Sequence, residues 1–379
     1  RRIGITPNSM PYAFSDIYGK ATHSVGGLGA LTLAGYLNRE AYRAPDQMAV
    51  IFNAEGSLDW GSRMIALTYR QPLGGTLLFE ARAGYSGSDG VFDALWREEA
   101  GRGNGWVALG KTRVDDVLVG GDLTWYGRAH TLRAGVQLDA YRLEHGLEAV
   151  DEDFQDLLPP FSRIDRPRTV AVYIEDDRAL SDRFRARYGV RLLEAGPLGR
   201  AWLPRLGISA GLTPGLSISL NAGRTAQALR GMRNDESAYS SFVAYDAIAA
   251  QPEEVGLATG SELVLGTAWA GPATEVRLEA YTRWMDGLTL APNVNQPKNT
   301  PILVTNSYRR GTGRTHGIEA VVRQSWGRTE VGLGYAFAIS RREADGHRYD
   351  PRFERRHTAD LAITAGWGTH GVLSARVQA

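Results

Sequence analysis

The stretch Arg183–Leu193, RFRARYGVRLL, decides how the chain is read. Arginine stands at 183, 185, 187 and 191, and Phe184, Ala186, Tyr188, Val190 and Leu192 fill positions between. A period of two puts the two sets on opposite faces of a β-strand, whereas a helix would spread these arginines around its surface. The strand is cationic on one side and apolar on the other. Three settings suit it: a soluble sandwich, a basic sheet that grips nucleic acid, or a membrane barrel with its apolar side outward.

Composition removes one of these. The 379 residues carry 43 Lys and Arg against 42 Asp and Glu, a net charge of +1, and a dedicated nucleic-acid binder shows a strong basic excess instead. Zero cysteines exclude disulfides, thiolate metal sites and cysteine nucleophiles. The longest nearly apolar run, LGALTLAGYL at 28–37, is far shorter than the roughly 20 residues of a spanning helix. RRIGITPNSM at the N-terminus lacks the parts of a signal peptide, so a soluble protein or a processed or truncated chain is expected.

The alternation recurs along the chain. In TEVRLEAYTRWMDGL (274–288), Val276, Leu278, Ala280, Thr282 and Trp284 oppose Glu275, Arg277, Glu279, Tyr281 and Arg283. In TEVGLGYAFAIS (329–340), Val331, Leu333, Tyr335, Phe337 and Ile339 form one series. With similar runs elsewhere, about sixteen strands are predicted. Many reach about 10 residues, the length a tilted strand needs to cross a bilayer, against a mode of about 5 to 6 in soluble domains.

Connections alternate between tight and long. Tight ones are QPLGG at 71–75, GRAH at 127–130, SD at 181–182, TPG at 213–215, AGPA at 270–273 and GR at 327–328. Long polar stretches lie between them, near 87–113, 143–167, 226–257, 289–314 and 341–355. This order puts every tight turn at one end of an up-and-down sheet, as in an outer-membrane barrel. EAGPLGRA at 194–201 is shorter than that scheme expects.

Trp125, Trp269, Trp284, Trp326 and Trp367 fall in apolar series near run ends, the place of an interfacial girdle. Asp176 breaks the series Val170, Val172, Ile174 unless its strand ends there. The arginines at 183–191 are expected to face a hydrated interior, with Glu262, Glu275, Glu279, Glu319 and Glu330 supplying opposite charge.

Nothing here marks catalysis. His347 and His357 lack metal-ligand spacing, and GRGNG at 101–105 has no strand-to-helix context for a phosphate loop. EAVDEDFQD at 148–156 is read as a solvated acidic loop rather than a calcium site. Phe92, Trp96, Trp106 and Tyr308, with Arg309 and Arg310, are candidate loop contacts for a ligand or lipopolysaccharide. No metal, no cofactor and no specific solute-binding residues are assigned.

Several segments together resemble the β-barrel of TonB-dependent outer-membrane receptors. They are PYAFSDIYGKATH with LTLAGY, TVAVYIEDD before RFRARYGVRLL, PEEVGLATGSELVLG, EVRLEAYTRWMDGL, GRTHGIEAVVRQSWGRTEVGLGYAFAISRRE and FERRHTADLAITAGW, in the family's order. The resemblance implies an all-β, transmembrane, antiparallel up-and-down β-barrel over residues 1–379, about sixteen strands of a barrel that has 22 in the family. The family's plug domain and energy-coupling motif are not recognisable, and the chain reads as truncated at both ends. The resemblance further implies an outer-membrane location in a Gram-negative bacterium and energy-coupled uptake of a scarce large solute such as a siderophore, cobalamin or oligosaccharide. Implied partners are outer-membrane lipid and lipopolysaccharide, the TonB energy-coupling protein through the missing N-terminal parts, and the solute; the barrel is expected to be monomeric, with no nucleic acid. The alternatives are a passive sixteen-strand porin and a soluble β-sheet carbohydrate-binding protein or carbohydrate-active enzyme.

Overall fold

A computed structural model describes residues 12–43, 54–96, 107–149, 161–231, 248–290, 309–368 and 371–378. The chain runs up and down. Strand β1 (Tyr12–Val25) turns into β2 (Gly29–Arg43), β3 (Ala54–Pro72) into β4 (Leu77–Trp96), and β5 (Val107–Tyr126) into β6 (His130–Ala149). After the short β7 (Phe161–Asp165), β8 (Arg168–Ala179) turns into β9 (Phe184–Glu194) and β10 (Arg200–Thr213) into β11 (Leu216–Gln227). Among the described residues, two short strands, β12 (Leu229–Gly231) and β13 (Ile248–Ala250), pair only with each other. The rest are β14 (Ala258–Ala270), β15 (Thr274–Leu290), β16 (Arg309–Trp326), β17 (Thr329–Ala344), the short β18 (His347–Tyr349), β19 (His357–Trp367) and β20 (Gly371–Gln378).

Among the described residues, all strands but β12 and β13 belong to one antiparallel sheet of 18 strands. Within it, β7 and β18 merely extend the loop ends of β6 and β17. The sixteen others form a single meander, each strand paired with the next, as the alternation of tight and long connections predicts. Among the described residues no pairing joins β1 to β20. The short connection after β9 is closed by one 3-10 turn at Gly196–Leu198.

The tight turn between β10 and β11 depends on Gly215. Its φ is +85°, and a Cβ there would sit 2.3 Å from the Ala270 carbonyl oxygen of the next turn. Only glycine serves both demands.

Face by face, the strands are two-sided. The outer face carries Ile65 and Leu67 on β3, Val117, Val119 and Leu123 on β5, Leu263 and Leu265 on β14, and Leu333 on β17, all among the exposed large hydrophobic residues. About ten residues above the tight turns this series ends and charge begins: Arg39 on β2, Arg63 on β3, Asp115 on β5, Arg341 on β17. Ten residues at about 3.3 Å each, tilted by about 40°, give an apolar band close to the ~25 Å of an outer-membrane barrel. Among the described residues no helix is long and apolar enough to cross a membrane; the strands carry the apolar band.

Tryptophans mark the band's edges. Trp125, Trp269 and Trp326 are outward beside tight turns, and Trp284 is outward at the opposite edge. The rings of Trp125 and Trp269 fold over Gly127 and Gly271, where a Cβ would come within 3.0 and 2.9 Å of them. Trp367 ends β19, and its side chain lies outside the described residues.

Strand β8 does not stop short of Asp176; it runs to Ala179. The carboxylate is tolerated on the outer face because it is covered. Asp176 is buried, the Tyr188 hydroxyl donates to it at 2.9 Å, and His130 Nδ1 lies 2.8 Å away. Trp125 stacks on His130, centroids 6.3 Å apart, next to the tight turn where the band meets water.

Candidate functional site

The inner face is polar because the alternate residues of these strands are polar, and β9 shows how. Arg185 donates to Asp177 of β8 through Nε at 2.5 Å and Nη2 at 2.9 Å, and Arg187 lies 3.6 Å from the same carboxylate. Arg191 donates to Gln137 of β6 at 3.4 Å and stacks on the Tyr173 ring at 5.9 Å. The acids that meet this face therefore come from the adjoining strand β8. Glu262, expected to oppose these arginines, instead takes Arg283 of β15, whose Nε donates at 2.7 Å. Strand partners outcompete distant ones because cross-strand neighbours lie within about 5.5 Å of each other, while opposite walls do not.

A second network climbs from β3 to β8. Arg70 meets Glu80 at 2.5 Å, Glu80 lies 3.9 Å from Arg82, and Arg82 lies 3.1 Å from Asp122. Asp122 also accepts from Arg133 at 3.0 Å and from the Tyr173 hydroxyl. Its side chain is 2 % exposed, so this carboxylate is the sealed centre of the wall. Tyr173 reaches it over Gly135, where a Cβ would lie 2.8 Å from the phenol ring and 2.3 Å from the carboxylate. A cavity of about 1100 Å³ opens along the inner face from β9 to β15, lined by Arg185, Arg187, Arg205, Asn221, Glu262 and Arg283 among others.

Near the long-loop end, the β12–β13 pair forms a strap across the inner face. His145 of β6, fully buried, places Nε2 against the Ile248 carbonyl oxygen and Nδ1 2.9 Å from the Thr112 hydroxyl. The Ala250 amide donates to Asp165 of β7 at 3.2 Å, and Thr289 of β15 donates to Gln251. At its other root the Gln251 amide donates to the Ala228 carbonyl at 2.8 Å, and Ala228 packs on Ala195 and Leu198. Strands β8, β9 and β10 lie between β6 and β11 in the sheet, so the strap bridges them on the inside. On the same inner face Ala171, Leu193, Ala201 and Leu203 form a small buried apolar cluster, packed against Ala226 and Leu257. The strap is not legible along the chain, because its contacts join residues up to 103 positions apart.

Aromatic side chains gather on the inner face near the β1 edge. Tyr12 lies 5.9 Å from Phe14 and 6.1 Å from Trp60. Register puts Phe92 on the same face, two positions beyond the residue opposite Trp60. The other loop residues singled out by sequence scatter. Arg309 lies 3.4 Å from Asp345 and Arg310 2.9 Å from Asp286, while Trp106, Tyr308 and residues 101–105 and 150–156 lie outside the described residues, as does the Trp96 side chain. His347 bonds locally to the Asp345 carbonyl, and His357 Nδ1 lies 2.8 Å from the Tyr335 hydroxyl. Among the described residues, no group of three or more His, Asp or Glu is placed to hold a metal ion.

The structure is an up-and-down meander with a charged inner wall, an apolar outer band and a strap across its inner face. The family model described as "TonB dependent receptor-like, beta-barrel" matches residues 7–378. This chain belongs to the TonB-dependent receptor family. No curated protein matches it. Among solved structures, the TonB-dependent receptor barrel resembles the alcaligin outer-membrane receptor FauA from Bordetella pertussis, with a TM-score of 0.63 and 12% identity over 97% of this chain and 60% of that one. It also resembles the ferric yersiniabactin uptake receptor FyuA from Yersinia pestis, with a TM-score of 0.65 and 11% identity over 97% and 58%. The ferripyoverdine receptor of the Pseudomonas aeruginosa outer membrane gives 0.67 and 12% over 97% and 55%. At these identities the likeness is one of fold, and this TonB-dependent receptor chain spans under two thirds of the length of each of the three.

Proposed function

We propose that residues 1–379 act as the barrel domain of an outer-membrane receptor that takes up a scarce, large solute by energy-coupled transport, in partnership with the TonB protein. The observation that supports this reading is the inner face itself: ion-paired walls, a cavity of about 1100 Å³ along them, and a latched strap across the face at the long-loop end. A wall of paired charges keeps a wide lumen wet, and a strap over it leaves room for a binding step before passage. Among solute classes, ferric siderophores have the most support, since the three solved relatives named above are receptors for compounds of that kind. The aromatic set Tyr12, Phe14 and Trp60, with the arginines of the wall, offers ring faces and cations to an anionic chelate.

The test is uptake by cells carrying the natural full-length protein in their outer membrane, with radiolabelled iron supplied as a panel of ferric siderophores. Accumulation that stops when the energy-coupling protein is deleted supports the reading. Accumulation that continues without it overturns the reading in favour of a passive channel.

A further inference from the structure

On the outer face, just above the apolar band, two arginines stand directly opposite each other on adjacent strands. Register pairs Arg314 of β16 with Arg341 of β17. Like charges at directly opposed positions repel, and the other outward arginines at this level avoid that by pairing with acids. Arg39 meets Asp89 at 2.8 Å, Arg63 meets Asp89 and Asp115, Arg113 meets Asp115 at 2.7 Å, Arg142 meets Glu144 at 3.0 Å and Arg310 meets Asp286 at 2.9 Å. Arg341 is 70% exposed and reaches Asp350 only at 3.8 Å, and Asp350 is already held by Arg356 at 2.8 Å. Among the described residues no acid lies within salt-bridge distance of Arg314.

What holds Arg314 is an aromatic ring. Its guanidinium sits over the Trp284 indole, 5.8 Å from the centroid, and Trp284 closes the apolar series of β15. An outward tryptophan at the end of an apolar series marks the interface between hydrocarbon and headgroups. Arg314 is thus braced at headgroup depth and is opposed by a second cation. His316, one step down the same face, is fixed by the Thr282 hydroxyl at 2.8 Å.

We propose that Arg314 and Arg341 together bind the phosphate of a phosphorylated glycolipid in the outer leaflet. A phosphate between two guanidiniums turns their repulsion into two charge-assisted interactions, and arginine's planar fork suits that geometry. The lipid's acyl chains would lie along the outward residues beneath, Ile318, Phe337 and Ile339. This site rests on the reading of the chain as an outer-membrane barrel and assigns that barrel a lipid partner.

Native mass spectrometry of the full-length protein in detergent tests it, with three probes: a bisphosphorylated diglucosamine lipid, the same lipid dephosphorylated, and inorganic phosphate. The expected result is an adduct with the bisphosphorylated lipid alone, reduced at least about tenfold in R314Q/R341Q and kept in R187Q on the inner wall. Equal adducts in the double variant, or equal adducts with the dephosphorylated lipid, overturn the site. Displacement by an equal concentration of inorganic phosphate overturns the lipid and leaves a small-anion site. Heat-modifiable migration of each variant separates two failures: an intact barrel with no adduct sinks only the lipid site, and loss of barrel behaviour in the unaltered protein sinks the receptor reading with it.

Discussion

Tyr173 gives its hydroxyl to Asp122 across Gly135, and that one contact ties β8 to β5 over the face of β6. The carboxylate also holds Arg82 and Arg133, and the Tyr173 ring carries Arg133 and Arg191 at 6.0 and 5.9 Å. Four strands therefore meet at one sealed anion.

Replacing Asp122 with Asn should cost about 2 to 3 kcal/mol, because it removes a buried charge from two guanidiniums and leaves them crowded together. Denaturant unfolding of the folded barrel in detergent measures it. A cost under about 0.5 kcal/mol, the level of an ordinary surface change, would show that the wall tolerates loss of its centre.

Gly135→Val should be comparably harmful for a different reason. The added Cβ alone falls 2.3 Å from the Asp122 carboxylate and 2.8 Å from the Gly121 carbonyl oxygen, which is backbone and cannot swing aside. Reduced folding yield with Gly135→Val, and recovery in Gly135→Val/Tyr173→Ala no better than partial, are expected in a heat-modifiability assay. Full recovery in the double variant would place the whole clash on the tyrosine.

His145→Ala should free the strap without unfolding the wall. The imidazole links Thr112 to the Ile248 carbonyl, and its loss leaves β13 held by its pairing with β12, by Arg230 and by the bonds to Asp165 and at Gln251. Hydrogen exchange at Ala249–Gln251 should rise by about tenfold or more while exchange in β5 and β6 stays as before, consistent with loss of about 1.4 kcal/mol of local stability. Unchanged exchange would mean the histidine is packing only.

The connection after β17 should loosen in acid. Glu354 lies in that connection, outside the band, and its carboxyl is held below the usual range first by the Ser340 amide, which donates at 2.8 Å, and then by Arg356 at 3.2 Å. A folded-state pKa below the unfolded value gives stability that is present above the ordinary glutamate range and lost as pH falls through the depressed value. Exchange or proteolysis at 350–356 should therefore stay slow at neutral pH and rise in strong acid, and Glu354→Gln should show the acid-form behaviour at neutral pH. A Glu354→Gln variant as protected as the parent would refute the linkage.

Sequence alone determined the fold class. RFRARYGVRLL states a two-faced strand, strand lengths near ten residues state a membrane span, and the alternation of tight and long connections states an up-and-down order. Each of these is a local property, set by side-chain alternation and turn chemistry within a few residues, so it is written along the chain. The outward position of Trp125, Trp269, Trp284 and Trp326 was legible in the same way. Tertiary structure decided the partners. That Arg185 meets Asp177 and not Glu262, that Asp176 is sheltered by His130 and Tyr188, that His145 latches a strap rooted beyond β11, and that Arg314 faces Arg341 all depend on which strands become neighbours and at what register. A one-residue shift of register would exchange inner and outer faces along a strand, and register is fixed by the sheet as a whole.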